Sequence, residues 1–262
     1  MTSPKIEMED PRQYRQRVRS QDLVTFRVIV QETDLLVSAE TDLKQEALAA
    51  VWKYRHQVEW YIAKDPGFKE SLSPYRVDPL APPIVRDMAE AAAKVGVGPM
   101  AAVAGAISEY VGRELSQVSP QILLENGGDI FMVTRVERTV SIFTESPLLP
   151  SFIDLRVRPE KTPVGICTSS GKEGPSLSFG RADAVMVVSP SATLADAAAT
   201  AAGNRVQSKK DIQKSLDFLS GIPGVMGGAV LMDGEIGLWG EMELAEAKES
   251  RNAGRSAKKY GT

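Results

Sequence analysis

The stretch from residue 182 to 203 constrains the fold more than any other part of the chain. It reads as an apolar strand at 184–188, a Ser-Pro break, and a helix at 190–202 made almost entirely of small side chains. Nine alanines fall between Ala182 and Ala202. A helix this thin packs very close to a sheet. Its one carboxylate, Asp196, is flanked by Ala195 and Ala197, so it needs a partner to offset the cost of leaving water. Asp196 and Thr200 are four residues apart and share one helical face. Two readings follow. In one, Asp196 is a hydrogen-bonded acid in a buried helix. In the other, a carboxylate and a hydroxyl side by side form a pair of hard oxygen donors suited to magnesium or calcium rather than zinc or copper.

The elements around this helix mix strands and helices without regular alternation. Residues 23–31 are rich in β-branched side chains, Glu32-Thr33-Asp34 turns the chain, and 35–39 returns, which predicts an opening antiparallel hairpin. Asp42 caps a helix over 43–63, with Gln45 three residues on; Leu48, Val51, Trp52, Val58 and Ile62 form its apolar face. Residues 73–83 are a Pro-rich connection. Helices follow at 84–94, ended by Gly96, and at 100–115, with Pro99 at its first turn. The small residues of this third helix imply close packing, either within the subunit or across a homodimer. Short strands are predicted at 121–124, 129–133, 139–143 and 152–157. A helix at 211–219 precedes a final hairpin, 229–232 and 235–239, around Asp233-Gly234, a pair suited to a type I′ turn. The pattern predicts one α+β domain over 1–246, with layers of largely antiparallel sheet and covering helices rather than a doubly wound parallel sheet. Residues 247–262 read as a charged tail.

Composition excludes several functions. The chain has 262 residues, 43% hydrophobic and 25% charged, with a net charge of −3, so it lacks the basic excess of a dedicated nucleic-acid binder. One cysteine and one histidine exclude an internal disulfide and argue against a protein-built zinc site. Residues 1–22 are charged and lack the apolar core of a signal peptide; Arg12, Arg15, Arg17 and Arg19 read as a solvated lead-in or as an arm touching a partner. No run approaches the roughly 20 apolar residues of a membrane span. The expectation is a soluble, cytoplasmic protein with no membrane or nucleic-acid partner.

Two further segments carry polar groups in suitable places. In Glu125-Asn126-Gly127-Gly128-Asp129-Ile130, paired glycines let the backbone reach positive φ and let a ligand approach closely; a plain hairpin turn has the same sequence signature. In Gly165-Ile166-Cys167-Thr168-Ser169-Ser170-Gly171, three hydroxyls before a glycine make a loop able to donate to a phosphate or carboxylate. Cys167 is either a buried inert thiol or a reactive one. His56 sits among charged residues on a helix surface, with no triad pattern around it. Gly96-Val97-Gly98-Pro99 lacks both common phosphate-loop patterns and reads as an inter-helix turn.

Taken in order, these segments resemble a known family. Asn126-Gly127-Gly128-Asp129-Ile130, Thr168-Ser169-Ser170-Gly171, and residues 184–200 are similar to the ordered motifs of the ApbE superfamily, the FAD:protein FMN transferases. The nearer resemblance is to an uncharacterised ApbE-related family of cytoplasmic bacterial and archaeal proteins. It extends over Asp34-Leu35-Leu36, residues 97–106, 125–131, 165–171, 176–180 and 194–204.

The resemblance implies an ApbE-like α+β fold. It places a magnesium ion on Asp196 and Thr200. It implies FAD, or another nucleotide or phosphorylated small molecule, contacted by Asn126, Gly127, Gly128 and Asp129 together with Thr168, Ser169, Ser170 and Gly171, so that the two oxygen donors face a glycine-lined hollow. One departure separates this chain from the transferases. They carry a His-x-x-Asp-Pro-x-Thr-Gly segment after the Thr-Ser-Gly loop, and its histidine is implicated in flavin transfer. Residues 172–180 here contain no histidine, and Pro175 stands where the related family often has one. The resemblance therefore implies nucleotide binding without the histidine for transfer. A second implication is sulfur handling, since the related family looks linked to sulfide assimilation into homocysteine, with Cys167 as a persulfide-carrying catalytic thiol. A non-catalytic assembly protein on the same scaffold is the third.

Overall fold

A computed structural model describes residues 22–143, 152–171 and 179–244. The basic N-terminal arm, residues 172–178 and the charged tail lie outside the described residues. Eleven strands and six α-helices are found among those described. The strands are β1 (Val24–Val30), β2 (Thr33–Ala39), β3 (Ile122–Asn126), β4 (Asp129–Val133), β5 (Arg138–Phe143), β6 (Phe152–Val157), β7 (Val164–Ser169), β8 (Ala184–Ser189), β9 (Gly227–Met232), β10 (Glu235–Gly240) and β11 (Glu243–Leu244). The helices are α1 (Lys44–Lys64), α2 (Gly67–Glu70), α3 (Pro83–Val95), α4 (Val103–Leu115), α5 (Ala192–Gly203) and α6 (Ile212–Ser220).

Eight strands form one sheet in the order β1-β2-β3-β4-β7-β8-β9-β10, every neighbouring pair antiparallel. A second, three-stranded sheet, β11-β6-β5, is also antiparallel. This is the α+β layering read from the sequence.

The period-two alternation of the strands feeds two cores. Ile122, Leu124, Phe131, Cys167, Val185, Val187 and Val230 point to the helices. Their neighbours Leu123, Ile130, Met132, Ile166, Met186, Ala229 and Leu231 point to the small sheet, where they meet Val140, Ile153 and Leu155. The middle of the large sheet is therefore covered on both faces.

Local chemistry explains most element ends. Gly96 closes α3 in the left-handed region, φ 80°. Ser191 caps α5, its hydroxyl accepting from the Leu194 N–H at 3.2 Å. Asp233 and Gly234 both take positive φ, 48° and 83°, as a type I′ turn demands.

Three details differ from expectation. Asp42 accepts from Lys44 N at 3.0 Å, but Leu43 is the residue flanking α1. Trp52 does not join the apolar face of α1: it is 51% exposed, and the buried positions are Ala47, Ala50, Val51, Val58 and Tyr61. Of residues 165–171, read as a polar loop, 165–169 belong to the largely buried strand β7. The small-residue helix α4 packs inside the subunit. A Cβ on its Gly105 would overlap the Ala192 carbonyl of α5, and one on Gly112 would overlap the Phe131 ring. No single helix among the described residues is long and apolar enough to cross a membrane.

Candidate functional site

The candidate residues converge where α5 lies between α4 and the β7–β8 pair, with β4 alongside. The approach is close because side chains are missing on both partners. A Cβ on Gly165 of β7 would strike Ala192, and one on Gly105 of α4 would come within 2.7 Å of Asp196 Cβ. Asp196 is thereby pressed against the first turn of α4, and Gly105 N donates to its Oδ2 at 2.8 Å. Thr200 follows one turn later on the same helix. The two residues are only 9% and 6% exposed.

The paired glycines form a two-residue turn between β3 and β4, with φ 64° at Gly127 and 104° at Gly128. It is a hairpin turn that also serves the site. Gly128 N donates to Glu125 Oε1 at 3.0 Å, Thr168 Oγ1 donates to the Gly128 carbonyl at 3.1 Å, and Asn126 Nδ2 donates to the Ala104 carbonyl at 3.2 Å. A Cβ on Gly128 would sit 2.7 Å from Thr168 Oγ1. The turn thus clamps the start of β4 to the end of β7. Ser169 is buried, while Ser170 and Gly171 are half-buried; Gly171 N donates to the Ala182 carbonyl at 3.0 Å.

Asp129, at the start of β4, is 6% exposed, and its Oδ1 has no hydrogen-bond partner among the described residues. Burial and then the neighbouring charge of Asp196 push its carboxyl well above the usual range, against the opposing pull of the Cys167 thiol and the Thr168 N–H. Burial likewise lifts Asp196 to about 7, although the N–H groups of Gly105 and Ala104 favour its charged form. Asp196 thus raises Asp129 by its charge, while Asp196 itself is raised by burial. Among the described residues there is no group of three or more His, Cys, Asp or Glu side chains that would form a metal site by themselves. The donor set is two carboxylates and a hydroxyl. That set fits magnesium, which retains waters and is held through one or two carboxylates plus a substrate's phosphates. Asp196 and Thr200 would hold it, with Asp129 as the second acid.

Cys167 is fully buried, its Sγ 3.3 Å from the Ala192 carbonyl to which it donates. Burial, then the charges of Asp129 and Asp196, push the thiol well above its ordinary value. The thiolate is the nucleophile, and here it is both suppressed and walled in. This counts against a persulfide carrier at that position.

Neither of the two cavities found among the described residues, of about 380 and 390 Å³, lies in front of Asp196 and Thr200. The first is lined by Arg181, Lys209, Lys210 and Asp233 among others, and the second by Leu155, Arg158, Val188 and Met226 among others.

Sequence reasoning missed Glu109. This buried acid on α4 holds the start of α5: its Oε2 accepts from Ser191 Oγ at 2.8 Å and from Thr193 N and Thr193 Oγ1, each at 3.0 Å. Arg113 donates to its Oε1 at 2.8 and 2.9 Å. The signal available in sequence was the (i, i+4) Glu-Arg spacing inside an otherwise small-residue helix.

The chain belongs to the family whose model is described as AbpE bacteria, which matches residues 15–217. The UPF0280 protein of Methanocella arvoryzae is 38% identical over 220 residues, 83% of this chain and 89% of that relative. The UPF0280 protein of Methanosarcina barkeri is 37% identical over 216 residues, 81% of this chain and 85% of that one. Among solved structures, the apo flavinyl transferase ApbE of Pseudomonas stutzeri is 13% identical, with 83% of this chain and 94% of that chain covered and a TM-score of 0.49. The ApbE protein of Thermotoga maritima is 11% identical, with 86% and 97% covered and a TM-score of 0.49.

Proposed function

We propose that this protein binds a phosphorylated ligand of the flavin or nucleotide class together with magnesium, at the end of the sheet where Asp129, Asp196 and Thr200 meet the Gly127-Gly128 turn and the Thr168–Gly171 segment. The observation that carries this reading is the bare Oδ1 of Asp129. A buried carboxylate oxygen without a donor is costly, and natural proteins rarely leave one without a use. A divalent cation satisfies that oxygen and cancels the repulsion between the two acids. When bound, it would neutralise the ligand's phosphate charge. The hydroxyls of Thr168, Ser169 and Ser170 supply polar contacts, and the glycine turn keeps the approach free of side chains.

Flavin transfer to another protein is not part of this proposal. The chain's only histidine, His56, is exposed on α1, whose opposite face packs on α4 and β1.

Titration of the purified protein with FAD, FMN and ATP, with and without magnesium, tests the reading. The expected result is saturable binding of at least one of them that requires magnesium and is lost in Asp196→Ala. Absence of binding by all three, or binding that is indifferent to magnesium and to Asp196→Ala, rejects it. The latter pair of results returns the chain to the class of non-catalytic assembly proteins.

A further inference from the structure

The cavity of about 390 Å³ lies between the two sheets, on the face of the large sheet turned away from α5. Small-molecule pockets span about 300–1,000 Å³. Its floor is Leu155 and Val157 of β6, Val164 of β7, Val188 of β8 and Met226 just before β9. The first four are buried members of the core between the sheets, so the floor offers no polar side chain. Val164 stands four residues before Thr168 on β7, about 13 Å along the strand, and Cys167, which meets α5, points the other way. The rim is charged. It carries Arg156, Arg158 and Lys161 from one segment and Glu241 and Glu243 from another. Two ion pairs tie these segments together, Arg158 to Glu243 at 2.9 Å and Lys161 to Glu241 at 2.7 Å. All four side chains are about half exposed, so the pairs are weak and open at little cost. Arg156 is left over. Its acid is Glu137, which does not line the cavity and stands at a loose 3.5 Å.

We infer that this cavity binds a small molecule with an apolar body and a single negatively charged head, of the kind a medium-chain carboxylate represents. The body matches the floor, where a polar ligand would lose its water and gain no side-chain partner in return. The head matches the rim, where three cations face two acids and leave one positive charge in excess. As the ligand enters, its head takes the place of a glutamate at Lys161 or Arg158, and the released glutamate turns into water. The weak ion pairs thus serve as the entrance to a dry interior. The inference is independent of what the buried acid pair binds, because the two places lie on opposite faces and at opposite ends of the sheet.

The test uses the full chain and the fluorescent probe anilinonaphthalene sulfonate, which joins apolar rings to one sulfonate. The expected result is saturable binding, equal with and without magnesium. Decanoate is expected to displace the probe, and decanol, which has the same chain and no charge, to do so much more weakly. Glu241→Gln frees Lys161 and is expected to tighten decanoate by about two- to fivefold, the scale of an exposed ion pair, and to leave decanol unchanged. Lys161→Gln is expected to weaken decanoate. Met226→Trp fills the cavity and is expected to abolish binding while far-ultraviolet circular dichroism stays unchanged; if that variant does not fold, the two rim substitutions decide alone. Absence of saturable binding overturns the inference. So does equal displacement by decanol and decanoate, a Glu241→Gln variant that binds decanoate no better, or binding that needs magnesium. Binding that fades as protein concentration rises gives the cavity to a second copy of the chain and overturns it as well.

Discussion

Gly105 on α4 donates its backbone N–H to Asp196 Oδ2 on α5 at 2.8 Å. The bond is possible only because residue 105 has no side chain. A Cβ there would overlap the Ala192 carbonyl and stand 2.7 Å from Asp196 Cβ. The acid is therefore positioned by backbone-to-backbone approach of two helices. Gly105→Ala is expected to force them apart and destabilise the fold by about 1–3 kcal/mol, as overpacking does, measured by urea unfolding. A wild-type midpoint would show that α4 and α5 are not in rigid contact.

Asp196 gives stability a definite pH dependence. Its folded value, about 7, lies above the ordinary 3.8. The folded state therefore holds a proton more tightly than the unfolded chain. Its contribution is full below about pH 4 and is lost as pH rises through 7. Asp129, also pushed up, acts in the same direction. The ligand-free protein is expected to lose stability, by an amount on the order of a few kcal/mol, between pH 4 and pH 7. Asp196→Asn keeps an oxygen for the Gly105 N–H and is expected to flatten the curve. Thermal melts across this range decide the matter; a stability that rises over it in the wild type, or an unchanged slope in the variant, contradicts the account.

Much of this was legible in the sequence, because the elements involved are specified locally. The Asp233-Gly234 hairpin, the Gly96 helix stop and the alanine-rich helix were all read within a few residues of where they lie. What the sequence hid depends on contacts between distant segments. The segment 165–171 reads as a hydroxyl loop when taken alone. Its Gly165 makes sense only once α5 is lying against it, which turns the segment into a central strand. Glu109 was missed, because its role is to satisfy a helix start 82 residues further on. Helical spacing places Trp52 on the apolar face of α1, although its position turns it outward.

Glu109 supports α5 through three accepted hydrogen bonds, from Ser191 Oγ, Thr193 N and Thr193 Oγ1. Removing it strands those donors and leaves Arg113 without its partner. Glu109→Ala is expected to cost about 2–4 kcal/mol, and Glu109→Gln less, since the amide oxygen still accepts. Chemical denaturation of both variants gives the ranking; equal losses would mean that the charge, not the hydrogen bonding, matters.

Cys167 should resist modification. In the folded protein a thiol-specific aromatic disulfide reagent is expected to react far more slowly than with the same chain in concentrated denaturant, where one equivalent is released. Comparable rates would place the thiol within reach of solvent and reopen the sulfur-carrier reading.

The twelve residues of α5 are all buried, wedged between a second helix and a strand with glycines at the tightest points. Such a part has no room to be remodelled: almost any larger side chain on it would disturb a neighbour. Substitutions are absorbed instead in the turns and connections at the rim, while the acid-bearing rod behind them tolerates few.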